Sequence, residues 1–319
     1  MRLDGLKEEY VAYKHSLGRE FKGTEFLISA FVRAMGGNTD VETITDAQCD
    51  EYLASKLKPI KTNYWLELFY ALDGMFQWAQ QRGHINHNPM PKYRLNRYEE
   101  VAPHIYTNEE LRAIFKACME YQVGRKQSFV LYPECMLVYL KFLLTMGLRP
   151  SEGLNIRMAD VHLSDDEMYI IIRETKFFKS RLVTVNDSVR QMVCAFLEWR
   201  KSKSMPVTDD TYLFLDVHGQ KMNHHSVRRS YRWILDKAGV KKEKDGTQYL
   251  YYRLYDFRHT FATRRVERWY KEGVDLQAIL PLLSTYLGHA RLEDTSRYIN
   301  MTDAILEEAS NKFWNFINE

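Results

Sequence analysis

The sequence predicts a mainly α protein: a helical first part, then an α-rich second part carrying a small antiparallel β-sheet. Three observations carry this. Apolar residues recur at a helical period over much of the chain, as in Trp65, Leu68, Phe69, Leu72, Met75 and Phe76. Only two short segments, 168–173 and 181–185, are dominated by strand formers. Asn88-Pro89-Met90-Pro91 places two prolines where no helix can continue, and so separates the two parts. A chain of 319 residues, 45% apolar and 27% charged, has the length of about two ordinary domains and the composition of a chain that buries cores, which excludes a mostly disordered protein.

The elements follow in order. Residues 24–35 read as a helix stopped by Gly36 and Gly37, and Thr45 is a good N-cap for the next helix. A long amphipathic helix covers 63–82 and is closed by Gly83. The stretch 91–102, with Lys92, Arg94 and Arg97, reads as a basic linker. The second part opens with Thr107 and Glu110, spaced as a capping box. An apolar helix over 134–146 ends at Gly147, and a short helix at 151–157 follows Pro150. The two strands, joined by 174–180, read as a hairpin. Asp187 caps a helix to about residue 201, and everything from Met222 onward is helical in pattern, broken at Gly239, Gly246, Gly273 and Gly288.

The longest apolar stretch, 135–148, is broken by Lys141 and is too short to span a bilayer. No apolar segment follows the N-terminus, so no secretory signal is expected. Four cysteines without a C-x-x-C pair predict reduced, intracellular thiols and no zinc ribbon.

Net charge is only +3, but it is unevenly placed. Residues 221–271 hold 14 basic and 5 acidic side chains, whereas 272–319 hold 3 and 8. The basic block is a candidate phosphate-contacting surface, with Lys221, Arg228, Arg229, Arg232 and Arg264 as its candidate residues. The plain alternative is a solvated helix face. His224 and His225 look metal-like as a pair but read as a helix N-terminus, and no metal is expected.

Four places in the second part carry chemistry. Arg149 sits between a glycine-ended helix and the next helix start, where a guanidinium can meet an anion, and Glu152 can orient it. Lys176 and Lys179 lie at the hairpin tip, ahead of Arg181. Tyr255, Arg258 and His259 open a helix inside the basic block. His289 follows Gly288, and Tyr298 lies nine residues further on. Each has an ordinary reading by itself: a surface arginine at a turn, a solubilising lysine, a hydrogen-bonded histidine, a packed tyrosine.

Their order and spacing together are another matter. Gly147-Leu148-Arg149 with Glu152, Lys176 with Lys179 and Arg181-Leu182-Val183, Arg258-His259-Thr260-Phe261-Ala262-Thr263, Leu287-Gly288-His289 and Tyr298 resemble the tyrosine recombinase family, the phage-integrase type of site-specific DNA recombinases. The resemblance implies a helical core-binding domain of SAM-like bundle form at 1–90, a linker at 91–102 and a catalytic domain at 103–319. It implies that Tyr298 attacks a phosphodiester to form a 3′-phosphotyrosyl link. Arg149 and Arg258 would grip the non-bridging oxygens, Lys176 would protonate the leaving 5′-oxygen, and His289 would hydrogen-bond the phosphate. Glu152 and His259 would support them. Lys179, Arg181 and the basic-block residues would contact DNA. No cofactor is implied.

The implied role is integration, transposition or resolution of a mobile element. The implied partner is double-stranded DNA with short inverted-repeat core sites, and the implied setting is a bacterial or archaeal cytoplasm, at the nucleoid. About 20 residues precede the first long helical run, so no separate arm-binding domain is expected. The amphipathic tail 304–316, with Ile305, Leu306, Ala309, Phe313, Trp314 and Phe316, would dock on a neighbouring protomer of a tetramer.

One position departs from the family. Residue 255 is usually His, and here it is Tyr255. A phenol donates a hydrogen bond but is a poor base at neutral pH. Tyr255 then only positions the phosphate, and the proton of Tyr298 goes to His259, to His289 or to water. Two other readings stay open: a nicking and resealing enzyme of the type IB topoisomerase kind, and a DNA-binding regulator that has lost catalysis.

Overall fold

The structure, a computed structural model, describes residues 1–18, 21–56, 63–92, 102–121, 123, 130–173, 180–244, 248–289, 291–298 and 314. The chain divides into two compact units, Met1–Val101 and Ala102–Glu319.

The first unit contains helices α1 (Leu3–Ser16), α2 (Lys22–Met35), α3 (Asp46–Ser55) and α4 (Asn63–Gln81). The first long helix therefore starts at Leu3, well before the expected run at 24. Leu3, Leu6 and Tyr10 lie on one face of α1 and are all buried. Thr45 and Gln48 close the N-terminus of α3 in a reciprocal capping box. Phe31 meets Tyr52 and Phe76 edge-on in the core, and Trp65 donates to the Leu53 carbonyl at 3.0 Å, tying α4 to α3.

The second unit starts with α5 (Asn108–Glu120), closed by the expected Thr107–Glu110 capping box. Next is α6 (Pro133–Met146), apolar on nearly every face and buried accordingly, so it forms the centre of the core. After α7 (Pro150–Asn155) come three antiparallel strands, β1 (Val161–Leu163), β2 (Met168–Ile172) and β3 (Arg181–Thr184), in that order. Ile170 pairs with Val183, and Ile170, Ile172 and Val183 turn inward at period two. The sheet thus has one strand more than the expected hairpin.

Helix α8 (Asp187–Ser202) is capped by Asn186 rather than Asp187, and α9 (His224–Ala238) by Asn223. Gly239, at φ +68°, stops α9. The segment just after it is not helical as expected: β4 (Lys242–Lys244) and β5 (Gln248–Leu250) pair antiparallel. The unit ends with α10 (Tyr255–Lys271), α11 (Leu276–Leu287) and α12 (Glu293–Ser296). Lys176 and Lys179 lie outside the described residues, as does the 304–316 segment except Trp314. Cys49, Cys118 and Cys135 are buried free thiols, and Cys194 is exposed. Among the described residues no helix is long and apolar enough to cross a membrane.

Candidate active site

Two helix ends build the site. Helix α6 terminates at Gly147 and α11 at Gly288, both in the left-handed region, at φ +60° and +67°. At Gly147 a Cβ would run into the ring of Phe261, so no larger residue fits there unless that ring moves. The Gly147 carbonyl accepts from Nη1 of Arg258 at 2.8 Å, and the Leu287 carbonyl accepts from its Nη2 at 2.6 Å. The Gly288 carbonyl accepts from Nη2 of Arg149 at 2.6 Å. The electronegative ends of two helices therefore hold two guanidinium groups.

Glu152 neutralises them from the other side. It is 5% exposed. Its carboxylate accepts from the Arg149 backbone N–H at 2.9 Å, from Arg149 Nη1 at 2.6 Å, and from both terminal nitrogens of Arg181 at 3.0 and 2.8 Å. Arg258 Nη1 stands 3.8 Å away. Burial alone would raise the Glu152 pKa, but the Arg181 and Arg149 contacts outweigh it and bring the carboxyl down to about 2. Arg258 is completely buried, and burial pushes its pKa down. For Arg149 the same desolvation is outweighed by Glu152, and its pKa rises.

Tyr298 lies in this cluster, 2% exposed. Burial raises its pKa, and the charge of Arg258 opposes that rise. The His289 ring stacks near the phenol, centroids 6.1 Å apart at 22°, and its Nδ1 is bonded to Thr295 Oγ1 at 2.7 Å. His259 stands 5.7 Å from Tyr298 and 5.3 Å from Tyr255 by ring centroids. Burial first, then the surrounding arginines, lower His259 to about 4 and His289 to about 3, so both rings are neutral at physiological pH. Arg258 Nε and His259 Nδ1 are buried without a hydrogen-bond partner.

The structure thus brings Arg149, Glu152, Tyr255, Arg258, His259, His289 and Tyr298 together. It corrects the expectation for Arg181. Nε of Arg181 donates to the Tyr286 carbonyl at 2.7 Å, and both terminal nitrogens serve Glu152. A buried carboxylate needs more cations than Arg149 supplies, and β3 delivers one, so this arginine is turned inward rather than toward a DNA groove. Arg264 donates to the Tyr106 carbonyl at 2.8 Å, and Lys221 is bonded to Asn155 over the ring of Tyr212. Arg228, Arg229 and Arg232 remain exposed on α9. Arg228 and Arg232, with His224, Arg253 and Tyr255, line a cavity of about 250 Å³ beside Pro150. Among the described residues no three His, Cys, Asp or Glu side chains are placed to hold a metal ion.

The model of the phage integrase family matches residues 105–304, a span holding every residue of this cluster. The chain belongs to the phage integrase family, the tyrosine recombinases. A putative integrase/recombinase of Sinorhizobium fredii, y4rB, is 27% identical over 307 residues, 95% of this chain and 94% of its own length. The tyrosine recombinase XerD of Listeria innocua is 22% identical over 277 residues, 86% of this chain and 84% of its own. A lambda integrase dimer bound to a COC′ core site matches 93% of this chain and 95% of its own at 16% identity and a TM-score of 0.65. The Tn1549 transposon integrase in complex with a circular intermediate DNA matches the same shares at 19% identity and a TM-score of 0.65. These structures share the mainly α fold with its small antiparallel sheet. This tyrosine recombinase is accordingly an enzyme of site-specific DNA recombination.

Proposed function

We propose that the enzyme cuts and rejoins DNA through a 3′-phosphotyrosyl intermediate on Tyr298. What supports this reading above all is one convergence. Residues scattered from 149 to 298 bring two guanidinium groups, an imidazole and a buried phenol to one place. Arg149 and Arg258 are always charged and already fixed, so they can receive the negative charge that grows on the non-bridging oxygens without reorganising. His289 adds a hydrogen bond to the same phosphate. The phenolic oxygen of Tyr298 forms the P–O bond as the P–O5′ bond breaks, and Lys176 gives the leaving 5′-oxygen its proton. Attack by a 5′-hydroxyl of the partner strand reverses the step and exchanges strands.

The DNA would carry short inverted-repeat core sites bound by protomers of a tetramer, joined through the 304–316 segment. The lambda and Tn1549 integrases and the Sinorhizobium relative favour a mobile-element role in integration or transposition, in a bacterial cytoplasm. The test is covalent capture from a library of nicked duplexes with randomised arms, since a nick beside the cleavage site lets the short fragment with the new 5′-hydroxyl escape and traps the enzyme. Wild type should be recovered covalently joined to an enriched inverted-repeat sequence, and Tyr298→Phe should capture nothing. Failure of wild type to form any adduct would support the DNA-binding regulator instead.

A further inference from the structure

We infer that His259 is the proton acceptor for Tyr298 during strand cleavage, an assignment that rests on the recombinase reading above. The cleavage step needs a group that takes the phenolic proton as the oxygen bonds to phosphorus. Tyr255 is a poor choice, because the oxygen of a phenol is a weak base. His289 already has its Nδ1 engaged with Thr295 Oγ1. That contact holds the ring beside Arg149 and Arg258, where a phosphate oxygen would lie, so His289 is placed to serve the phosphate.

His259 differs on both counts. Its Nδ1 is buried and has no hydrogen-bond partner, and its ring stands between the two tyrosines, 5.3 Å from Tyr255 and 5.7 Å from Tyr298. Rings at this separation can bring the phenolic oxygen within about 2.6–3.2 Å of an imidazole nitrogen by side-chain rotation, and catalytic hydrogen bonds commonly tighten only when substrate is bound. Charge supports the assignment. Burial first, then Arg253 before α10, Arg258 on the same helix and Arg297 near Tyr298, keep the imidazole unprotonated, hence able to accept. Among the described residues Tyr255 on its own helix, with Tyr298 and His289 from the C-terminal side, also face it. A phosphodiester entering between the arginines brings negative charge that raises the basicity of the ring as the reaction begins. The balance is simple: the proton leaves Tyr298 Oη for a nitrogen of His259, and the phenolic oxygen closes on phosphorus. The P–O5′ bond breaks, and the 5′-oxygen is protonated from Lys176. In the return step His259 gives its proton back to the departing phenolate.

The experiment is single-turnover adduct formation on the captured nicked duplex at saturating DNA, over a range of pH. We expect His259→Gln to slow adduct formation about 100-fold and to flatten the acid limb of the wild-type rate profile. Adding Tyr255→His to His259→Gln places an imidazole one helical turn away, and should restore most of the rate. That recovery also shows that the His259→Gln background folds and binds. A His259→Gln enzyme with wild-type rate and profile overturns the inference, as does a loss that Tyr255→His does not relieve. Absence of any wild-type adduct would instead defeat the recombinase reading itself.

Discussion

Arg149, Arg181 and Arg258 are held inside the second unit, whereas Arg228, Arg229 and Arg232 stand exposed along α9. The inner three share one carboxylate, Glu152, and further donors of theirs reach the carbonyls of Gly147, Tyr286, Leu287 and Gly288. The same residue type therefore does two jobs. An arginine locked by packing has lost its rotamer freedom before any phosphate arrives, so it can favour a transition state without further ordering. An exposed arginine can follow a backbone of variable shape, and contributes chiefly through charge and counterion release.

The strongest way to break this contrast is to remove the shared acceptor. Glu152→Gln leaves three neighbouring guanidinium groups without their counter-charge. Urea unfolding should show a loss of about 3–5 kcal/mol, the usual cost of stranding buried charges. Adduct formation should disappear with it. A stable, active Glu152→Gln enzyme would mean that the helix-end carbonyls suffice.

Arg181→Lys comes next. A lysine replaces a two-pronged grip on Glu152 by one point charge and cannot also reach the Tyr286 carbonyl. We expect a loss of about 1.5–3 kcal/mol and a slower cleavage step. The salt dependence of DNA binding should not change. A decrease in that slope of about one unit would return Arg181 to the DNA-contacting set.

Acid should act on the inner group as well. His259 and His289 titrate at about 4 and 3 in the folded chain against 6.5 ordinarily, and Glu152 at about 2 against 4.5. In each case the unfolded chain binds protons first as the pH falls. The stability linked to the two histidines is complete above pH 6.5 and is lost from there downward. That linked to Glu152 is complete above pH 4.5 and is lost toward pH 2. The melting temperature should therefore fall between pH 7.5 and 5, and the fall should shrink in a His259→Gln, His289→Gln double variant. Below pH 4.5 wild type and variant should both lose stability through Glu152.

What was legible in the sequence followed from local rules. Thr45, Thr107 and Gly147 announce helix ends because caps and left-handed glycines act within a few residues. The order of Arg149, Arg258, His289 and Tyr298 pointed to side chains that the fold brings together. The misreadings have equally physical causes. Lys242–Lys244 pairs with Gln248–Leu250 without any apolar alternation, so nothing in its pattern announces a strand. The outward reading of Arg181 failed because its partner lies 29 residues away, on another element. A buried carboxylate one turn after a predicted arginine was the available signal, since such a group needs all its oxygens satisfied. The unpaired Nδ1 of His259 depends on tertiary packing, and no sequence pattern encodes it.

The smallest expected effect belongs to the outer group, and it tests the contrast from the other side. Arg228 lines the cavity beside Pro150 and stays exposed, and Arg232 does the same while lying over the ring of Tyr251 at 5.7 Å. If these side chains meet phosphates away from the scissile one, each Gln substitution removes about one counterion-releasing contact. The slope of log affinity against log salt should then fall by about 0.9. Arg228→Gln is the cleaner variant, because Arg232→Gln also gives up an aromatic contact. At saturating DNA both should form adduct at the wild-type rate, since neither guanidinium is tied to Glu152 or to the ends of α6 and α11. A reduced rate at saturation with Arg228→Gln would show that the cavity is continuous with the catalytic cluster in action, and that charge on α9 helps to place the scissile phosphate as well as to attract the duplex.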